Sequence, residues 1–459
     1  MLFNSYEFIF LFLVGVVGLF WGYAYTANRQ KVSIYFWFLI VASVLFYGQW
    51  NLEHLFVLLG SISINYIYAK YFSRTLLSLV GIVVLNLVPL VYYKYSGVFG
   101  GDSLVLPLAI SFFTFQQIAF VVDLYRGKIQ LDGLKEYLFF VLFFPQLVAG
   151  PIVHYNELIG QVKKPNWLVF DGEIFSRGVL LFSLGLFKKV VLADSFAVVA
   201  NDSFGGVSTL DSYDAWIGLF AYSFQIYFDF SGYADMAIGL GLLFGIVLPQ
   251  NFNSPYKSRN IVEFWRNWHI TLSNFLKEHI YIPLGGNRVG MRRGVFNLLV
   301  TMSIAGVWHG AGLSFLVWGF LHGVLLGGVH LYGNVVDARK NTHRAKSAFF
   351  IIFTFMSVTL LWVLFRCENL EEAMVYYGVL FSFDGILPQK LPEFILLPFS
   401  IAKEYLVLIG FVVVWFLPNA WEFSKKVGYL QMFVGALMFF VSLRVMANTP
   451  SMSFVYFNF

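Results

Sequence analysis

Histidine is the side chain best suited to moving protons near neutral pH, with a reference pKa of about 6.5. Three histidines of this chain, His269, His309 and His322, lie in apolar and aromatic surroundings. His309 follows Trp308 at the end of an apolar run. A charge there is costly, so the imidazole either bridges helices through a hydrogen bond or takes part in chemistry, and its position alone leaves both readings open. His269 closes the run Trp265-Arg266-Asn267-Trp268-His269, and His322 sits in Gly319-Phe320-Leu321-His322-Gly323. Anchoring at a membrane interface or a helix-to-helix bridge accounts for these two as well as chemistry does. Asp229 and Asp235 invite a reading as an acid and base pair. Their spacing argues against it, because six residues of ideal helix rotate by about 600 degrees and leave them on roughly opposite faces. Arg266, Lys277, Arg288 and Arg292 have the charge to hold phosphates, although snorkelling to the interface explains most such residues. The single cysteine, Cys367, excludes an internal disulfide, and no cysteine and histidine cluster has zinc-site spacing, so no metal is expected.

These side chains must be held by membrane helices. The chain is 459 residues long, 59% hydrophobic and 12% charged, about half the charge of a soluble domain. Apolar runs fall near 8–25, 35–50, 55–69, 76–95, 104–122, 178–200, 215–230, 295–308, 312–332, 348–366, 405–420 and 428–446. The expected fold is therefore all-α and polytopic, with about 11–13 transmembrane helices in a lipid bilayer. Two further stretches, Tyr137 to Val153 with two prolines and Ala234 to Leu248 with three glycines, are short or broken enough to be re-entrant. Lys188 and Lys189 inside a span fit this map poorly.

Basic residues from Arg29 and Lys31 through Lys163 and Lys164 to Lys425 and Lys426 fall on one side of the map, which the positive-inside rule makes the cytoplasm. Both termini are then extracytoplasmic, with no cleaved signal peptide, and the segment of about 367–403 forms an outer loop. The net charge of +5 is spread over short loops rather than gathered in a patch, which speaks against a nucleic-acid partner. The stretch from Pro249 to Gly294 alternates charges with aromatics. It reads as an amphipathic helix with interfacial tryptophan anchors or as a platform for an anionic cytosolic cofactor.

Several motifs in order along nearly the whole chain resemble the membrane-bound O-acyltransferases, in the branch of alginate and peptidoglycan O-acetylation proteins. They include Asp123-Leu124-Tyr125-Arg126-Gly127, Phe144-Pro145-Gln146-Leu147-Val148-Ala149-Gly150-Pro151 and Asp229-Phe230-Ser231-Gly232-Tyr233. They are densest in Phe264-Trp265-Arg266-Asn267-Trp268-His269, Pro283-Leu284-Gly285-Gly286-Asn287-Arg288 and Gly306-Val307-Trp308-His309-Gly310. His154 and Cys367 stand where this branch commonly has another basic residue and an alanine.

The resemblance implies one acyltransferase domain over 1–453, helices around a central funnel, and a re-entrant and interfacial core at about 234–294. It implies that His309 is catalytic and His269 auxiliary, with Arg266, Asn267, Trp308 and Arg288 binding the donor, acetyl-CoA. The ending Phe454-Val455-Tyr456-Phe457-Asn458-Phe459 has four aromatics in six residues. It resembles a terminal motif of this branch in which the tyrosine looks like an acyl carrier, so Tyr456 is a further catalytic expectation within a relay motif at 454–459. The implied setting is a bacterial inner membrane, with a separate extracytoplasmic transferase of the SGNH-hydrolase type finishing O-acetylation of a cell-envelope polysaccharide, peptidoglycan before alginate. D-alanyl transfer to teichoic acid is the alternative within the enzyme class, and a secondary transporter the alternative outside it.

Overall fold

The computed structural model describes residues 1–26, 32–99, 104–207, 210–332, 344–385, 401–449, 452 and 454–455. Among them the secondary structure is helical, without strands. At the centre stands Ser212–Leu243, a single helix of 32 residues in which nearly every side chain from Ala221 onward is buried. At 1.5 Å per residue it is about 48 Å long, more than the roughly 30 Å of a hydrocarbon core. The stretch Ala234 to Leu248 is thus not a separate re-entrant segment: its first ten residues complete this helix, and only the end is irregular. Its glycines are absorbed because the helix is wrapped by protein on all sides.

Against the central helix runs a composite partner made of Gly172–Phe187, a π-helical turn over Lys188–Ala193, and Asp194–Gly205. The turn delivers the two lysines that fit the hydropathy map poorly. Lys189 Nζ lies 2.9 Å from Asp229 and 2.7 Å from Asp194, and Lys188 Nζ lies 2.6 Å from Asp235. Asp229 and Asp235 therefore serve separate partners, as their helical spacing requires, and each of the two lysines meets a carboxylate in place.

Among the described residues, six helices are long and apolar enough to cross a membrane: Glu7–Tyr25, Leu52–Tyr71, Leu76–Tyr95, Leu313–Leu331, Ser347–Arg366 and Tyr429–Asn448. Other expected spans are shorter, such as Val32–Gly48 and Ile110–Tyr125, or carry charges, as around Lys188 and Lys189. The stretch Tyr137 to Val153 is broken as expected. It forms Leu134–Leu142, the short turn Phe144–Leu147, and irregular backbone up to His154.

Two helices form the hairpin that carries His309 and His322. Met291–His309 and Leu313–Leu331 are joined by three residues and touch backbone to backbone. A Cβ on Gly306 would meet the Phe315 carbonyl at 2.2 Å, and one on Gly319 would meet the Met302 carbonyl at 2.2 Å. Small residues at a membrane helix crossing permit such an approach.

The segment from Pro249 to Gly294 is not an interfacial amphipathic helix. Phe264, Trp265, Trp268 and His269 are buried, so the tryptophans pack inward rather than anchoring at a lipid surface. The segment folds as short helices, Ile261–Asn267 and Ile270–Leu276, followed by the turn Lys277–Tyr281.

Candidate active site

His309 ends its helix, buried, with its ring centroid 4.6 Å from that of Trp308, 5.2 Å from Trp318 and 5.0 Å from Phe365. A helix C-terminus exposes carbonyls that carry partial negative charge. Here those carbonyls are met by the neighbouring helix Leu76–Tyr95: Lys94 donates to the Trp308 carbonyl and Tyr95 to that of Val307. The Lys94 ammonium also stands 5.6 Å from the Trp308 ring. The histidine motif is thus not remote from other ionisable groups, as its apolar span suggested. Lys94, His269 and His322 all lie close enough to His309 to interact with it electrostatically.

His322 also packs against Trp318, at 4.7 Å, and is fully buried. The Trp265 indole donates to its Nδ1 at 3.3 Å. An indole N–H only donates, so in the neutral ring the His322 proton sits on Nε2. His269 is held the other way. Its Nδ1 lies 3.2 Å from Asn251 Oδ1, an oxygen that also accepts from the Thr271 backbone N–H and hydroxyl. Nδ1 is therefore the donor, and Nε2 carries the lone pair. His269 adopts a left-handed backbone, φ 43° and ψ 55°, between its two short helices. That is a strained conformation for a non-glycine residue and characteristic of functional sites.

Two cavities approach this layer of histidines and aromatics. One, of about 940 Å³, is lined by Trp265, Arg266, Lys277, Arg288, Thr301 and Met302 among others, near the top of the roughly 300–1,000 Å³ usual for small-molecule sites. The other, of about 590 Å³, is lined by Lys94, Gly310, Phe365, Arg366, Met452 and Val455 among others. Trp265 links the first cavity to His322, and Phe365 and Gly310 link the second to His309.

Of the expected donor-binding residues, Arg266 and Arg288 line the larger cavity, exposed and able to turn toward an anion. Asn267, Trp308 and Arg292 do not line it. Asn267 instead clasps the loop before it, accepting from the Asn253 backbone N–H at 2.9 Å and donating to Ser258 at 3.3 Å. Trp308 stacks on Phe115 at 5.0 Å. Tyr456 lies outside the described residues. The tail just before it does not fray on the surface: Phe454 is buried against Phe230 and Tyr233, at 5.7 and 5.0 Å, and Phe230 meets His269 edge-on at 4.6 Å.

Sequence reasoning missed Lys94, Asn251 and Trp318. A lone lysine closing an apolar run was the available signal for the first; nothing local marked the second, and the third opens the family-like motif Trp318-Gly319-Phe320-Leu321-His322-Gly323. His154 acts as the basic residue its position calls for. Its Nδ1 lies 3.0 Å from Asp123, and that hydrogen bond holds its pKa above the ordinary 6.5, against the opposing effect of burial.

A helical membrane protein whose buried histidines are linked through neighbouring residues to two separate cavities has a layout suited to an enzyme that joins two reactants. The sequence profile of the membrane-bound O-acyltransferase family matches residues 125–371, and the chain belongs to that family; it is an O-acyltransferase. It is 41% identical to a peptidoglycan O-acetyltransferase of Helicobacter pylori, over 84% of this chain and 81% of that one. It is 38% identical to a probable alginate O-acetylase of Pseudomonas putida, over 83% and 81%. A teichoic acid D-alanyltransferase of Streptococcus thermophilus is 28% identical, over 70% and 81%.

Proposed function

We propose that this protein takes acetyl from cytosolic acetyl-CoA and passes it, through His309 and Tyr456, to an extracytoplasmic partner that O-acetylates a cell-envelope polysaccharide. The observation that carries this reading is the linkage of the buried histidines to two separate cavities, through Trp265 and through Phe365, with the protein's own tail residues Met452 and Val455 lining the smaller. The larger cavity carries Arg266, Lys277 and Arg288, charges suited to the phosphates of CoA. The positive-inside rule places it toward the cytoplasm of a bacterial inner membrane, with both chain termini on the outer side.

In the first step the Tyr456 oxygen attacks the thioester carbonyl while its proton passes to His309. Prior deprotonation of a phenol of pKa about 10 by a base near 6.5 would cost roughly 5 kcal/mol, so proton removal accompanies attack. The tetrahedral intermediate collapses, the C–S bond breaks, and the CoA thiolate takes the proton back. The product is an aryl acetate, still activated toward an aliphatic hydroxyl because a phenol of pKa about 10 is the better leaving group. A separate transferase of the SGNH-hydrolase type then accepts the acetyl group on its own serine. Peptidoglycan is the favoured polymer, from the relative with the higher identity of the two O-acetylating ones described.

The test is to supply purified protein with acetyl-CoA labelled in the acetyl group. Label should appear on Tyr456, be lost in Tyr456→Phe, and fall at least about a hundredfold in His309→Ala, the scale of general-base catalysis. Label that persists in His309→Ala would remove His309 from the path. In cells, Tyr456→Phe should abolish acetylation of peptidoglycan; loss from an exopolysaccharide alone would redirect the polymer assignment.

A further inference from the structure

The tail is seated on the most heavily charged place in the interior. Lys189, 3% exposed, lies between two buried carboxylates, 2.7 Å from Asp194 and 2.9 Å from Asp229. One ammonium facing two carboxylates leaves an excess of negative charge that a low-dielectric interior tolerates only with further donors. The tail supplies them from its backbone. The Val455 N–H donates to Asp229 Oδ2 at 2.7 Å, and the Met452 backbone is hydrogen-bonded to Asp194. Between these two points Phe454 fills the seat formed by Phe230 and Tyr233.

We infer that Asp194 and Asp229, tied together by Lys189, form a two-point latch that docks the C-terminal tail through its main chain and so positions the acyl-carrying residue that follows it. This rests on the relay reading given above. The chemistry suits a reversible dock. Main-chain hydrogen bonds fix the register of the tail without depending on its side chains, and the ion triad that receives them belongs to the permanent fold. The aromatic ring adds an apolar seat with no covalent commitment, so the tail can leave to deliver its cargo and return. Asp229 is a positioning residue here and not a reacting one.

The latch can be probed without any acetyl transfer. In a Cys367→Ala, Phe454→Cys background the only thiol lies at the buried seat of the tail, and its rate of reaction with a polar maleimide in detergent reports undocking. Val455→Pro removes the N–H that Asp229 receives and leaves the helical bundle untouched. It should raise the labelling rate on the order of tenfold, the scale of a hydrogen bond to a charged group, with no change in the thermal unfolding midpoint. Val455→Ala keeps the N–H and should label as the parent does. Asp229→Asn keeps an acceptor but not the charge and should fall between.

If Val455→Pro labels at the parental rate, the latch is wrong, whatever the acetylation result. Equal acceleration by Val455→Ala would also overturn it, by assigning the docking to side-chain packing. Failure of Tyr456 to acquire acetyl in the otherwise unaltered protein would instead sink the relay, while the maleimide rates would still decide whether Asp229 holds the tail.

Discussion

The two cavities that approach the histidine layer are built in different ways. The larger one is walled by short helices, a glycine-bearing turn and the two hairpin helices, with exposed Arg266, Lys277 and Arg288 at its surface. The smaller is framed by long helices, and part of its lining is the chain's own C-terminal tail. Mobile, solvated cations suit a large anionic ligand that arrives from solution and must dissociate again. On the proposed relay, a site partly occupied by a tethered segment has less need of binding affinity, because its reactant is already covalently at hand and at high effective concentration. The difference teaches that, under this proposal, binding affinity belongs to one cavity and geometric placement to the other.

The sharpest way to break that division is to neutralise the larger cavity. The double variant Arg266→Gln, Arg288→Gln should raise the KM for acetyl-CoA by roughly tenfold to a hundredfold with kcat nearly unchanged, since charge-assisted phosphate contacts act on ground state and transition state alike. A fall in kcat at constant KM would place these arginines in the chemistry instead.

A smaller effect is expected at the boundary between the cavities. Lys94→Met removes the cation that caps the carbonyls at the His309 end of its helix and should lower kcat about tenfold while destabilising the fold by about 1 kcal/mol, a helix-terminus contribution. Equal kcat in the variant would reduce Lys94 to a structural cap.

The smallest effect lies outside both cavities. Because the folded protein holds the His154 pKa above its unfolded value near 6.5, the pair with Asp123 contributes stability that is full below that unfolded value. It is lost as pH rises through the folded value. The difference in unfolding midpoint between the parent and His154→Ala should therefore shrink from pH 6 to pH 9, with a total contribution below about 1 kcal/mol for this partly exposed pair. A difference that does not vary with pH would show that the imidazole acts through packing.

What could be read from the residues in order was the class of fold and the identity of the three histidines, because each sits in a dense local motif. The inward packing of Trp265 and Trp268 could not, since an aromatic next to an arginine reads equally as an interfacial anchor. The partners that fix the site were equally hidden: Lys94 reaches a carbonyl 214 residues away, and Val455 reaches Asp229 across 226. Such pairings depend on how helices are arranged, which hydropathy does not encode. The two lysines at 188 and 189 show the same limit from the other side. They interrupted an apolar run, yet their carboxylate partners make the interruption part of the core.

The glycine contacts in the hairpin have a mechanical consequence. With Gly306 and Gly319 pressed against facing main chain, the two helices have no slack to slide or roll, and they carry His309 and His322 against the same tryptophan. The histidine layer is thus a fixed anvil. Under the proposed relay, whatever travels during turnover, the thioester or the tail, must be brought to it.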